Sequence, residues 1–284
     1  MTAPCDLCGE VDAFEVPHCR AYTGGQPIHI CRACGFVHVK ERRSAREIAD
    51  AWSNEIYGTG YTAAVPAVTA RLVYVAETLN RQVGLAGRRV CEIGAGEGHF
   101  LQLVRGPAYG ADVFGVEPSP ANSKRLGEAG IEHFQGTIEE FEGAEGAFDV
   151  AAVLWTLENC HDLKAMLRGA RRILKPDGTL VVATGSRILV PFKKPLQAYF
   201  SMNAADTHSF RFSAATLQGA LAVSGFDTTY VNRYIDHDVL LVLGRPASGK
   251  PEWNGDDPLA VHSFFERWHA ETAVYYADAD NAWA

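Results

Sequence analysis

Between residues 88 and 245, short apolar runs alternate with stretches of helical period. The apolar runs are Val90 to Ile93, Asp112 to Glu117, Ile131 to Gln135 and Phe148 to Leu154, with a fifth reaching Val182 after a Pro176-Asp177-Gly178 turn. Helical segments are expected from His99, from Ser119 to Gly130 and from Ala165 to Leu174. Phe192 to Phe200 reads as a helical insertion, and Ser213 caps a helix that Gly225 stops. Phe226 to Tyr234 and Val239 to Leu243 read as a closing antiparallel pair. Such alternation predicts an α/β domain built on a Rossmann-like sheet.

Upstream the pattern changes. Ser44-Ala45-Arg46-Glu47 matches a capping box, so a short helix is expected to about Trp52. Val68, Leu72, Val75, Ala76 and Leu79 then recur at helical spacing between Val65 and Val83. The organisation predicted is a module at 1–45, a helical bridge at 46–87, the sheet domain at 88–245 and a tail at 246–284. The tail opens with a Pro/Gly/Ser linker and carries a helix candidate, Leu259 to Tyr276. It has three readings here: packing on the core, capping the substrate or joining a homodimer.

The first strand runs into Glu92-x-Gly94-x-Gly96-x-Gly98. Alternate glycines remove Cβ atoms where a backbone turns sharply and a ligand closes in, and the following helix aims its N-terminal amides there. A dinucleotide fingerprint would need its third glycine at position 99, which is His99, so a nicotinamide cofactor is disfavoured. The second strand ends in Glu117, placed to accept hydrogen bonds from ribose hydroxyls. The loop after the fourth strand, beginning at Leu154 and Trp155, lies at a carboxyl end, where open α/β sheets bind ligands.

Cys5-x-x-Cys8 and Cys31-x-x-Cys34 are two knuckles, each followed by a glycine (Gly9, Gly35). Four thiolates so spaced suit tetrahedral, structural Zn²⁺ with no open catalytic position. A pair of redox disulfides is the competing reading. His18, Cys19 and His29 are spare ligand candidates whose ordinary structural reading is preferred.

The 284 residues carry 26 basic and 34 acidic side chains, a formal charge of −8. That balance argues against broad nucleic-acid binding, and residues 1–50 are near neutral, with six basic and seven acidic residues. No run of about 18 apolar residues occurs, and no basic-then-apolar leader opens the sequence. The expectation is a cytoplasmic protein without a membrane span.

These blocks together resemble bacterial class I S-adenosylmethionine (SAM) methyltransferases with an N-terminal zinc ribbon, a group often serving sugar, polysaccharide or natural-product biosynthesis. The residues carrying the resemblance are the two knuckles, E-x-G-x-G-x-G, Glu117, Leu174-Lys175-Pro176-Asp177-Gly178 and the run from His208 to Leu217. It implies a seven-stranded Rossmann-like methyltransferase sheet and SAM beside Glu92, Gly94, Gly96 and Gly98. It further implies ribose on Glu117 and Pro118, adenine near Thr137 and Ile138, and the methyl group near Leu154 and Trp155. Tyr57 and Tyr61 would cover the cofactor, although packing against the ribbon explains them equally well. The family often reads L-E-H where this chain has Leu157-Glu158-Asn159, so the histidine of that motif is replaced by Asn159. His208, His161 and Glu158, in that order, are the candidate bases, each set against an ordinary buried role. Lys193, Lys194, Arg187 and Arg211 are candidates to hold an anionic acceptor, with a solvated face preferred. The expected reaction is methylation of a sugar, nucleotide-sugar or glycosylated-metabolite hydroxyl. A methyltransferase of RNA or protein using the ribbon as reader, or a noncatalytic SAM-binding protein, is the alternative.

Overall fold

The structure is a computed structural model, and it describes residues 3–53, 66–200 and 208–276. Tyr57 and Tyr61 lie outside the described residues. The chain divides into two compact units. One comprises Met1–Arg42, Ser186–Gly219 and Trp253–Ala284; the other comprises Arg43–Gly185 and Ala220–Glu252. Each unit is assembled from segments that are not contiguous in sequence. The insertion and the tail belong with the cysteine module, because their aromatic residues build its core.

In that ribbon unit, β1 (Ala13–Glu15) is followed by α1 (Cys19–Tyr22), β2 (His29–Cys31) and β3 (Val37–His38). The three strands are too short to bury a core alone.

In the second unit, α2 (Ala45–Ala51) starts at Ser44 with the capping box intact: Ser44 N–H donates to Glu47 Oε2 at 2.8 Å and Glu47 N–H to Ser44 Oγ at 3.3 Å. α3 (Pro66–Val83) buries Leu72, Val75, Ala76 and Leu79. Then come β4 (Arg89–Ile93), α4 (His99–Arg105), β5 (Asp112–Glu117), α5 (Pro120–Glu128), β6 (Glu132–Gln135), β7 (Phe148–Leu154), α6 (Leu163–Ile173) and β8 (Leu174–Thr184). Where a turn was expected at Pro176-Asp177-Gly178, the chain stays in β8. Phe148 pairs with Leu174 but Val150 pairs with Thr179, so these residues form an irregularity opposite β7.

The remaining elements are α7 (Leu196–Phe200), β9 (Phe210–Arg211), α8 (Ala214–Val223), β10 (Phe226–Val231), β11 (Leu240–Pro246) and α9 (Pro258–Thr272). The insertion helix is thus shorter than the apolar pattern implied. Ser213 Oγ accepts from Thr216 N–H at 3.0 Å at the start of α8.

The seven-stranded sheet has the order β10-β11-β8-β7-β4-β5-β6. Strands β8, β7, β4, β5 and β6 are parallel, while β11 is antiparallel to β8 and β10 to β11. The central strands are covered on both faces, which is why they read as unbroken apolar runs. One face packs on α3 and α4 through Leu79, Phe100, Leu101 and Val104. Phe114, Phe141 and Phe148 stack together elsewhere in this unit, with ring centroids 5.2 and 5.6 Å apart.

The ribbon unit's sheet has the order β1-β2-β3-β9. Its core joins Val16, Ile28 and Ile30 to Leu196, Phe200, Val261, Phe264, Phe265 and Trp268. Trp268 Nε1–H donates to the Lys194 carbonyl at 2.8 Å, and Asp256 N–H to the Cys34 carbonyl at 3.0 Å. The tail, for which three readings stood open, therefore packs within the ribbon unit. Among the described residues no helix is long and apolar enough to cross a membrane.

Candidate active site and cysteine centre

The loop from β4 to α4 needs glycine. Gly94 has φ +74°, and a Cβ there would lie 2.5 Å from Thr156 Cγ2. Gly98 has φ +76°, and its Cβ would meet Leu126 Cδ2 at 2.5 Å. Both positions are left-handed and crowded, so an L side chain would be strained and would clash.

The loop is tied to the end of β5. Gly94 N–H donates to the Val116 carbonyl at 2.8 Å. Gly96 N–H donates to Glu117 Oε2 and Ser119 N–H to Glu117 Oε1, each at 2.8 Å. Burial raises the pKa of the Glu117 carboxyl above the usual carboxylate range, and the two amide bonds oppose that rise. Each oxygen keeps a lone pair for a further donor. Glu92 is also buried, and Oε2 has no hydrogen-bond partner among the described residues. Burial first, and then the Glu117 charge, raise its pKa well above the ordinary value.

On the opposite side lies the loop after β7. Trp155 adopts φ +52°, a conformation that costs a side-chain-bearing residue about 1–3 kcal/mol. Its N–H donates to the Ala183 carbonyl at 2.8 Å, and its own carbonyl accepts from Asn159 Nδ2 at 3.1 Å. A single 3₁₀ turn, Leu157–Asn159, follows. It turns Glu158 inward, where Oε1 accepts from Thr184 Oγ1 at 2.7 Å and burial pushes its pKa up to about 7. His161 then emerges with Nδ1 2.7 Å from the Arg43 carbonyl oxygen. Asp162 caps α6 by accepting from the Lys164 and Ala165 amides, each at 2.9 Å.

Between these loops lies a cavity of about 490 Å³, a usual size for a small-molecule site. Of the candidate site residues, Gly94, Glu117, Pro118, Thr137, Ile138, Leu154, Trp155 and His161 line it. Gly96, Gly98, Glu92 and Glu158 stand outside the lining. The first two shape the loop; the two carboxylates are buried behind it. Thr137 N–H is engaged by Glu140 Oε2 at 2.8 Å.

The lining also includes Ala45, Ile48, Ala49 and Trp52 from α2 and its end, with Glu139, Cys160 and Met166. Their signal was the Ile48–Trp52 spacing on the capped helix, readable as an apolar stripe but not as a wall of a site. Among the described residues, no lysine or arginine is in the lining.

His208, the first candidate base, belongs to the ribbon unit and is not among the described residues that line this cavity. Burial, with the Arg211 and Lys194 charges, holds its pKa down at about 3, which makes it a weak proton acceptor. Of the basic residues read as a solvated face, Lys193 and Lys194 are exposed, whereas Arg187 is 8% exposed and Arg211 1%.

The cysteine centre matches its spacing. The sulfurs of Cys5, Cys8, Cys31 and Cys34 all lie within 4.8 Å of one another. Cys5 and Cys34 sulfurs are 3.7 Å apart, and those of Cys8 and Cys31 are 3.4 Å apart. Sulfurs held tetrahedrally at ~2.3 Å from zinc stand about 3.8 Å apart, so this donor set fits the ion. All seven cysteines are free thiols, which sets aside the disulfide reading. In each knuckle the glycine N–H donates to the first cysteine's carbonyl at 3.0 Å, with φ +81° at Gly9 and +68° at Gly35. The spare candidates stay outside: Cys19 is buried in the core and His18 stacks on His269 at 3.6 Å.

A family model described as a methyltransferase domain matches residues 68–231. The chain belongs to the methyltransferase domain family. A ubiquinone biosynthesis O-methyltransferase of Azorhizobium caulinodans is 34% identical over 137 residues, 43% of this chain and 53% of that protein. A ubiquinone/menaquinone biosynthesis C-methyltransferase UbiE of Vibrio campbellii is 31% identical over 170 residues, 50% of this chain and 66% of that protein. The match thus spans about half to two thirds of the relatives' length. Among solved structures, a Burkholderia thailandensis 1,6-didemethyltoxoflavin-N1-methyltransferase with bound 1,6-didemethyltoxoflavin and S-adenosylhomocysteine superposes with TM-score 0.54. It is 17% identical and covers 75% of this chain and 96% of that one. At that identity the likeness concerns the fold. These proteins are named for transfer to oxygen, carbon and nitrogen, so family membership leaves the accepting atom to the site.

Proposed function

We propose that the chain transfers a methyl group from SAM to a hydroxyl of a small, uncharged acceptor. The observation that carries this is one cavity lined by Gly94, Glu117 and His161, with no lysine or arginine among the described residues of its wall. Gly94, Glu117 and Pro118 would hold the donor's amino-acid and ribose portion, and Thr137 and Ile138 its adenine. When bound, SAM supplies a methyl carbon already activated by the sulfonium charge. The chain's own tasks are to align the acceptor, keep water out and take up the acceptor's proton.

His161 is proposed for the last task. It lines the cavity, whereas Glu158 is turned away into a bond with Thr184. The lining supports a neutral acceptor: Trp52 and Trp155 offer apolar faces on which a phenol or the ring of a glycoside can lie. A nucleotide sugar is less well served, because its diphosphate finds no lysine or arginine there. The four-cysteine set is proposed to hold structural zinc that stiffens the ribbon.

The test is product mass spectrometry with SAM and a panel of neutral phenols, glycosides and nucleotide sugars. Methylation among the first two classes is expected. Turnover of nucleotide sugars alone would remove the acceptor assignment, and absence of SAM binding by calorimetry would remove the activity.

A further inference from the structure

The loop between β4 and α4 takes its shape from three glycines, with φ +74° at Gly94, +54° at Gly96 and +76° at Gly98. Glycine reaches such angles without strain, but it also loses the most backbone freedom when it is fixed. A loop so built needs ties if it is to stand ready for a ligand. Within Gly94-Ala95-Gly96-Glu97-Gly98, only Glu97 has a polar side chain with which to make one.

That side chain is 14% exposed, and both its oxygens are engaged. Oε1 pairs with the guanidinium of Arg125 on α5, and Oε2 lies 2.8 Å from His99 Nε2 at the start of α4. Arg125 Nη1 also reaches Asn122 Oδ1 at 3.5 Å. Asn122 is fully buried, and its side chain is among the groups that favour the ionised form of Glu117. The preceding residue makes the other tie: Gly96 N–H donates to Glu117 Oε2 at 2.8 Å. Two neighbouring residues of the loop are thus braced, one on the carboxylate that ends β5 and one on the helix that follows it.

We propose that the Glu97–Arg125 pair is a latch that holds the Gly96 amide on Glu117 and so sets the affinity for the methyl donor. Glu97 and Arg125 are positioning residues, since both stand outside the cavity lining. The proposal rests on the donor-binding reading of that cavity. A loop ordered in advance removes the entropy of ordering it from the cost of binding. Arg125 is half-exposed, and solvent screens such a pair, so the effect is a few-fold one.

The test is calorimetric titration of the full chain with SAM and with S-adenosylhomocysteine, in the parent, Glu97→Gln, Arg125→Met and the double variant. Each single change is expected to weaken binding by about threefold to tenfold. The double change is expected to cost no more than the larger single one, because both remove the same tie. Arg125→Lys keeps the charge and is expected to recover part of the loss. In ligand-free protein the Gly96 amide proton, drawn downfield by its carboxylate acceptor, is expected to move upfield and exchange faster in Glu97→Gln, with the amides of β7 unchanged. Single variants that bind within twofold of the parent, losses that multiply in the double variant, or a Gly96 amide that does not respond would overturn the latch. A parent that binds neither nucleoside would remove the donor reading itself, and the latch with it.

Discussion

The carbonyl oxygen of Arg43 decides which nitrogen of His161 carries the proton. A carbonyl only accepts, and it lies 2.7 Å from Nδ1, so the neutral ring is Nδ1–H and Nε2 keeps its lone pair. An imidazole fixed in this way can take a proton at Nε2 without first rotating or changing tautomer. His161→Gln is accordingly expected to lower kcat by roughly 10²–10⁴-fold and to leave the dissociation constant for SAM within about twofold, since no donor-binding role is assigned to the ring. Single-turnover kinetics beside calorimetry would check this. An equal loss in SAM affinity would show that the ring binds the donor instead.

Glu117 receives two backbone amides while lining the cavity. In Glu117→Gln one of those amides must face an amide NH₂. The expected outcome is a loss of about 1–3 kcal/mol in stability and a SAM affinity at least about tenfold weaker. Denaturant unfolding and titration on the same preparation would measure both.

Gly94→Ala sets a methyl group into Thr156 while forcing alanine to φ +74°. A stability loss of roughly 1–3 kcal/mol is expected, with SAM binding reduced. Adding Thr156→Ser removes the Cγ2 that the new methyl meets and is expected to recover part of the stability. No recovery in the double variant would show that the backbone conformation, or the Oγ1 contact at 2.6 Å that serine keeps, carries the cost.

Glu158 makes stability depend on pH. Its folded-state pKa is about 7 against an ordinary 4.5, the rise coming from burial. Between those values the native chain holds a proton that the unfolded chain has released, so this group's contribution is present below pH 4.5 and is lost as pH rises through 7. The full displacement corresponds to roughly 3 kcal/mol. Glu158→Gln still accepts from Thr184 and is expected to flatten the fall in stability between pH 5 and 8. Parallel slopes for parent and variant in chemical denaturation would contradict the buried, protonated carboxyl.

Elemental analysis of protein purified without chelator is expected to find about one zinc per chain, lost together in a Cys31→Ala variant. Because β9 pairs with β3 through Val37 and Arg211, chelation is expected to raise amide exchange at Phe210 and Arg211 as well as in the knuckles. Exchange confined to residues 5–34 would separate the metal from that pairing.

The strands β4, β5 and β7 were legible because a strand covered on both faces is apolar throughout. The knuckles were legible because metal ligation fixes spacing along the chain. The association of Phe210–Arg211 with the ribbon was not legible: a two-residue strand has no period, and its partner lies far away in sequence. Arg187 and Arg211 were read as solvated because charge ordinarily implies exposure, whereas Arg211 is buried against the Tyr199 and Phe200 rings of α7. His161 ranked second because nothing in the run Asn159-Cys160-His161 reveals that the Arg43 carbonyl meets its ring.

The ribbon core also orders events in time. Cys34 and Trp268 belong to one compact unit, and 268 − 34 gives 234 residues to be added after Cys34 before Trp268 is in place. At ~5–20 residues per second, a ribosome needs roughly 10–50 s to cover that distance. The thiols of the knuckles therefore wait, without the later-made part of their unit, while the intervening α/β layer is completed, and early capture of a metal ion would protect them from oxidation during that interval.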